Sequence, residues 1–141
     1  MIAYFDASAF VKLAIDEPGS AAAIETWDAS STRISSLILY PETRAALARA
    51  SRMERVSPAQ ARAARSFVDR LWDGIDRVEV TDSLVERAGD LAEGHGLRGY
   101  DAVHLASFEA IADEQSVLVT SDVELRAAAG ARGFATVDVP A

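Results

Sequence analysis

The sequence predicts a three-layer α/β domain around a mainly parallel central sheet. Short apolar runs of strand length, such as IAYF at residues 2–5 and SVLV at 116–119, alternate with longer stretches of helical periodicity. Several of these runs are apolar on consecutive residues, as strands covered on both faces require. Right-handed crossovers then carry successive strand ends to one edge, the usual place for a site in an open α/β sheet. A length of 141 residues fits one domain spanning residues 1–141, large enough for a core without disulfides.

In chain order, IAYF is the first strand. SAFVKLAIDE follows as a helix whose apolar side is Phe10, Val11, Leu13 and Ala14. Pro18-Gly19 breaks it, and Ser20 is placed to cap the next helix, AAAIETWDA. RISSL is a short extended segment. YPETRAALARASR is a helix with Pro41 near its start, where a missing N–H costs nothing. SPAQARAARSFVDRLWDGI opens on a cap-and-proline signal and turns Phe67, Val68, Leu71 and Trp72 inward. RVEV at 77–80 reads as a strand, and TDSLVERAGDLAEGH as an amphipathic helix starting at Thr81 and Asp82. The loop GHGLRG leads into the helix YDAVHLASFEAIADEQ. SVLVTSD is a strand, VELRAAAGARG a helix and FATVDV a last strand.

Composition narrows the function. No cysteine is present, which excludes a disulfide framework, a thiolate zinc site and a cysteine nucleophile, and fits a cytoplasmic protein. The opening apolar stretch is too short for a signal peptide or a membrane span, so no membrane association is expected. A net charge of -8 argues against coating nucleic acid through the overall field. The distribution differs from the total. Residues 43–72 hold seven arginines against Glu54 and Asp69, a local charge of +5, so the remainder carries -13. Such a basic surface suits RNA, an acidic partner or plain solvation.

Four acids stand at junctions between elements. Asp6 follows the first strand, and Asp122 follows SVLVTS. Glu42 and Asp101 each open an alanine-rich helix. Singly, each is explained by capping or by the positive first turn of a helix. Together they suit a hard divalent ion such as Mg²⁺, which prefers oxygen ligands and activates water for phosphodiester hydrolysis. Asp6, Glu42 and Asp101 are the first ligand candidates, with Asp122 completing the set directly or through water. Ser8, Thr120 and Ser121 are hydroxyls able to orient ligands, or to cap helices. His104 shares the helix side of Asp101 and is either a neighbour of the site or a structural histidine. Lys12, Arg44 and Arg49 are candidate phosphate contacts. Tyr40 and Tyr100 serve either packing or base stacking.

YFDASAFVKLAIDEPGS, PETRAAL, GYDAVHLA and LVTSD together resemble a PIN-domain ribonuclease, with the VapC-like toxins of bacterial type II toxin–antitoxin systems as the nearest branch. The resemblance covers nearly the whole chain. It implies a compact α/β/α PIN-like domain and a Mg²⁺- or Mn²⁺-dependent endoribonuclease. Asp6 in FDAS matches the first acidic ligand of the family, Glu42 in YPETRAAL the second, Asp101 in GYDAVHLA the third and Asp122 in VTSD the more variable fourth. Ser8 and Thr120 match the accompanying hydroxyls. The resemblance also implies an RNA substrate, a homodimer and a small antitoxin that inserts a segment near the active site.

Other readings stay open at this point. They are a non-toxin RNA-processing PIN nuclease, a phosphoaspartyl enzyme using Asp6, and a non-catalytic metal-binding interaction domain. The phosphoaspartyl reading lacks the second nearby carboxylate of a DxD arrangement, since Ala7-Ser8 follows Asp6.

Overall fold

The computed structural model describes residues 1–141. Five strands and seven helices run in the order β1 (Ile2–Phe5), α1 (Ala7–Ala14), α2 (Ser20–Ala29), β2 (Thr32–Ser36), α3 (Leu39–Arg52), α4 (Pro58–Asp73), β3 (Asp76–Val78), α5 (Asp82–His95), α6 (Gly99–Ile111), β4 (Ser116–Thr120), α7 (Val123–Ala131) and β5 (Thr136–Asp138). The strands form one sheet in the order β3-β2-β1-β4-β5, and every neighbouring pair is parallel. The three-layer α/β/α architecture is the expected one.

Side-chain alternation along the strands divides the core in two. Ala3, Phe5 and Val119 face α1 to α4, where they pack with Phe10, Leu39, Leu47 and Val68. Tyr4 and Leu118 face α5 to α7, where they meet Leu91, Leu105, Phe108 and Leu125. β1 lies at the centre of the sheet and is buried from Ala3 to Phe5. That explains its unbroken apolar sequence.

Local chemistry sets most helix ends as expected. Ser57 caps α4 in a reciprocal capping box with Gln60, and Thr81 caps α5 by accepting from the Leu84 N–H at 3.2 Å. Several boundaries differ. α3 begins at Leu39, two residues before Pro41; the proline falls within the first turn, whose N–H groups lack helical partners anyway. α2 is not capped by Ser20. Its N-cap is Gly19 at φ +93°, while Ser20 Oγ donates to the Ile15 carbonyl and accepts from the Glu17 N–H. Glycine is needed at 19, because a Cβ there would lie 2.1 Å from the Pro140 carbonyl oxygen.

β3 covers Asp76–Val78 rather than 77–80, since Ser36, the last residue of β2, pairs with Val78. β5 is likewise confined to Thr136–Asp138, with Asp138 opposite Thr120 at the end of β4. α6 stops at Ile111. Beyond it Asp113 Oδ1 accepts from the Gln115 N–H and from Ser116 Oγ, a turn that ends the predicted helix early.

Candidate active site

β1 and β4 are adjacent parallel strands with Phe5 opposite Val119. Their next residues, Asp6 and Thr120, therefore meet at the C-terminal edge of the sheet. The Asp6 N–H donates to the Val119 carbonyl at 3.2 Å. Thr120 Oγ1 donates to Asp6 Oδ2 at 2.6 Å, and Ser8 Oγ lies 2.8 and 2.9 Å from the two carboxylate oxygens. The Ala9 N–H donates to Oδ1 at 3.0 Å, so Asp6 is also the N-cap of α1. The capping role and the site position coexist in one residue.

Asp6 is only 2% exposed. Burial pushes its carboxyl upward from the ordinary range, opposed by the His104 imidazole and the Thr120 and Ser8 hydroxyls. None of its direct hydrogen-bond partners is a cationic side chain.

Glu42, in the first turn of α3, reaches across to α6. His104 Nε2 stands 2.6 Å from Glu42 Oε1, and His104 Nδ1 stands 2.8 Å from the Tyr4 hydroxyl. An ionised carboxylate can only accept, so Nε2 donates to Glu42; Nδ1 then accepts from Tyr4 in a neutral ring or donates to it in a charged one. His104 is 1% exposed, which makes it a satisfied structural histidine that touches a candidate ligand. Burial also pushes the Tyr4 hydroxyl far up, so Tyr4 keeps its proton.

Asp101 and Asp122 are joined through a cation of the chain itself. Arg98 Nε donates to Asp101 Oδ2 at 3.1 Å, and its Nη2 donates to Asp122 Oδ2 at 3.0 Å. Asp122 Oδ1 meanwhile accepts from the Leu125 N–H at 2.8 Å and caps α7. Burial and the nearby Asp122 charge raise the Asp101 carboxyl, while Arg98 opposes them. The two acids in turn push the Arg98 guanidinium up. Asp101 and Asp122 are thus tied to each other, Glu42 is tied to His104 and Asp6 to the hydroxyls, and no three His, Asp or Glu side chains are gathered around a common point.

The hydroxyls belong to the same network. The Ser121 N–H donates to Ser8 Oγ at 2.9 Å, and the Asp122 N–H donates to Thr120 Oγ1 at 2.9 Å. Ser121 Oγ itself is buried without a hydrogen-bond partner. A set of carboxylates and hydroxyls, one acid buried without a cation and two acids sharing one, matches the donor chemistry of a hard divalent ion.

The three candidate phosphate contacts fare differently. Lys12 is a correction. Its Nζ donates to Glu17 Oε1 at 3.1 Å and to the Pro18 carbonyl at 2.7 Å, and the side chain is 7% exposed. It fastens the α1–α2 turn and is not presented to a phosphate. Arg44 donates to the Tyr40 hydroxyl at 2.8 Å, and Tyr40 donates to Asp69 Oδ1 at 2.6 Å while packing on Trp72. Tyr40 is therefore a packing residue. Arg49 is exposed, with Nε 3.5 Å from the Met53 sulfur. Tyr100 is 68% exposed and borders a small cleft with Ala7, Pro41 and Glu42.

Asp6 also makes a poor attacking nucleophile, being buried with both oxygens already accepting. The phosphoaspartyl reading gains nothing from the fold. Sequence reasoning missed two members of the network. Arg98 was accessible as an i,i+3 partner of Asp101 in LRGYD. Tyr4 carries no local signal, since its partner lies 100 positions away.

Comparison with known proteins identifies the family. The PIN domain family model matches residues 3–131. The chain is 42% identical to Ribonuclease VapC45 of Mycobacterium tuberculosis over 132 residues, covering 94% of this chain and 92% of that protein. Among solved structures it resembles Mycobacterium tuberculosis VapC20, a sarcin-ricin loop cleaving toxin, with a TM-score of 0.72, 21% identity and coverage of 96% and 98% of the two chains. It also resembles a chain of a toxin-antitoxin complex from Klebsiella pneumoniae, with a TM-score of 0.60, 18% identity and coverage of 85% and 86%. From its β1–Asp6 junction to α7, the chain belongs to the PIN domain family, in the branch of the VapC ribonucleases.

Proposed function

We propose that the protein is a Mg²⁺-dependent endoribonuclease, able to use Mn²⁺, and the toxin of a type II toxin–antitoxin pair. The observation that carries the metal assignment is Asp6, a buried carboxylate bonded only to neutral donors. Burying an unpaired charge is costly, and a divalent cation relieves it. Asp6, Glu42, Asp101 and Asp122 are the proposed ligands. When bound, the ion supplies an activated water and neutralises charge on the phosphoryl oxygens.

The remaining steps belong to the chain. Thr120 and Ser8 fix the orientation of Asp6, and His104 fixes Glu42. Arg98 must release Asp122, whose other oxygen caps α7, whereas Asp101 has Oδ1 to offer beside its Arg98 bond. Arg98 is 74% exposed, so its head can swing outward and meet an RNA phosphate.

The names of the VapC relatives support ribonuclease activity, and the Klebsiella pneumoniae complex supports a protein antitoxin as partner. A homodimer is supported by an apolar cleft on α5 and α6, where Val85 and Tyr100 are exposed beside Ala92 and Val103. We assign residues 1–141 to one domain and place the protein in the cytoplasm. No helix is long and apolar enough to cross a membrane.

The test is cleavage of a panel of structured and single-stranded RNAs with Mg²⁺, Mn²⁺ or EDTA, alongside Asp6→Asn and Asp101→Asn. Metal-dependent cutting that falls by roughly a hundredfold or more in both variants supports the assignment. Full activity in both folded variants contradicts it. Loss of partner binding with no hydrolysis by the wild type points instead to a non-catalytic interaction domain.

A further inference from the structure

The chain has ten aromatic side chains, five Phe, three Tyr and two Trp, and only that of Tyr100 is exposed. No other large hydrophobic side chain is as exposed. The hydroxyls of Tyr4 and Tyr40 are bonded to His104 and Asp69, and their rings pack on other aromatic rings. Tyr100 has neither a hydroxyl partner nor a ring partner. A ring standing free forgoes the stabilisation that burying its area would bring. Single exposed apolar residues are common, so its surroundings decide what it is for.

Tyr100 borders a cleft of about 410 Å³. Much of the wall is a stripe at the start of α3, made by the N-cap Ile38 with Pro41, Glu42 and Ala45. Their spacing of i, i+3, i+4 and i+7 sets them on one helix face. Ala7 completes the lining. Glu42 is shared, since the side chain that bonds His104 in the acid network also lines the cleft. Ala7 and Tyr100 directly adjoin Asp6 and Asp101 in sequence. The cleft is therefore continuous with the acidic site. Apart from Glu42 and the Tyr100 hydroxyl, its side chains are apolar.

We infer that this cleft receives one unpaired base beside the phosphate to be cut, stacked on the Tyr100 ring; the inference rests on the ribonuclease reading above. A base hangs from the ribose on each side of any phosphate held at Glu42, so an RNA strand brings one to the cleft. Every base has a flat face that an aromatic ring can stack on. A base inside a duplex is already stacked and paired, so the cleft selects RNA that is single-stranded at the cut. With apolar walls it reads stacking and shape rather than a hydrogen-bond pattern. Tyr100 also borders the α5–α6 cleft, where a second copy is the competing occupant. Val85 lines that cleft and not the first, so it separates the two.

The test changes the ring and the base together. Binding of a fluorescent single-stranded RNA in EDTA is compared with binding of an abasic ribose-phosphate chain of the same length. The proteins are full-length wild type, Tyr100→Ala, Tyr100→Phe and Val85→Ala. Tyr100→Ala is expected to weaken RNA binding about tenfold or more and to leave the abasic chain unaffected. Tyr100→Phe retains the stacking face, and both it and Val85→Ala keep the wild-type preference for RNA over the abasic chain. With Mg²⁺, a substrate abasic on one side of the mapped cut loses as much kcat/KM in wild type as intact RNA loses in Tyr100→Ala. Combining the two changes then costs nothing further.

Equal losses on RNA and on the abasic chain overturn the proposal, as does a Tyr100→Ala variant that binds RNA like wild type. If Tyr100→Ala and Val85→Ala both sediment as smaller species and neither changes the preference for bases, the ring belongs to contact with a second copy. If the wild type cuts no RNA under any condition while the ring and the base still couple in binding, the nuclease reading fails and the base site stands.

Discussion

His104 Nε2 lies 2.6 Å from Glu42 Oε1, a bond across 62 positions of sequence, while Nδ1 of the same ring holds the Tyr4 hydroxyl at 2.8 Å. One buried imidazole thus links the central strand, the first turn of α3 and the middle of α6. His104→Ala leaves two polar partners unsatisfied and opens a cavity, at a cost of about 2–4 kcal/mol. His104→Gln retains a donor for Glu42 and recovers part of that loss. Urea unfolding of the two variants checks this, and a loss below about 1 kcal/mol for alanine contradicts it.

Asp6 and Asp101 both hold their protons more tightly in the folded chain, each chiefly through burial. Above the ordinary carboxylate range, near about pH 4, the folded state therefore binds more protons than the unfolded state. Stability falls as pH rises through that window, up to the raised folded values. Asp6→Asn removes one group from this balance and keeps a side chain suited to capping α1. The variant gains on the wild type as pH rises, and the gain levels off above the window. Unfolding curves across the acid-to-neutral range give the answer; a difference that shrinks with rising pH rules the account out.

Arg98 competes with any cation for Asp101 and Asp122. Its two bonds, one part-buried and one exposed, are together worth about 1 kcal/mol. Arg98→Ala is accordingly expected to bind Mn²⁺ roughly fivefold more tightly, as read by calorimetric titration. Weaker or unchanged affinity shows that Arg98 is not in competition with the ion.

Gly19→Ala tests the contact between the α1–α2 turn and the C-terminal segment. The backbone there has φ +93°, and the new Cβ meets the Pro140 carbonyl at 2.1 Å. A loss of roughly 1–3 kcal/mol is expected. A thermal midpoint equal to wild type means that Val139–Pro140 gives way without cost.

Local signals explain which parts of this architecture can be read from sequence. Ser57, Thr81 and the apolar run of β1 act on their immediate neighbours, and the corresponding elements lie where the pattern predicts. β3 differs because its length is set by β2, a partner about 40 positions away in the chain. The acids stand out in the sequence because each marks a junction between elements. Their interconnection does not, since Arg98–Asp122 and His104–Tyr4 exist only once the layers are stacked. Lys12 misleads for a simple reason: six residues beyond Asp6 is roughly 240° around the helix. It points away from Asp6 and into the α1–α2 turn.

Pairing between β1 and β4 also bears on how the protein is made. Asp6 precedes Thr120, its neighbour in the sheet, by 114 positions, and the Arg98-linked acid is Asp122. During synthesis β1 can pair with β2 early but waits for β4 until the intervening helices have been made. The network of acids and hydroxyls therefore closes late, and chains that stop before β4 lack it. Assembly of the site is coupled to delivery of the β4–α7 junction.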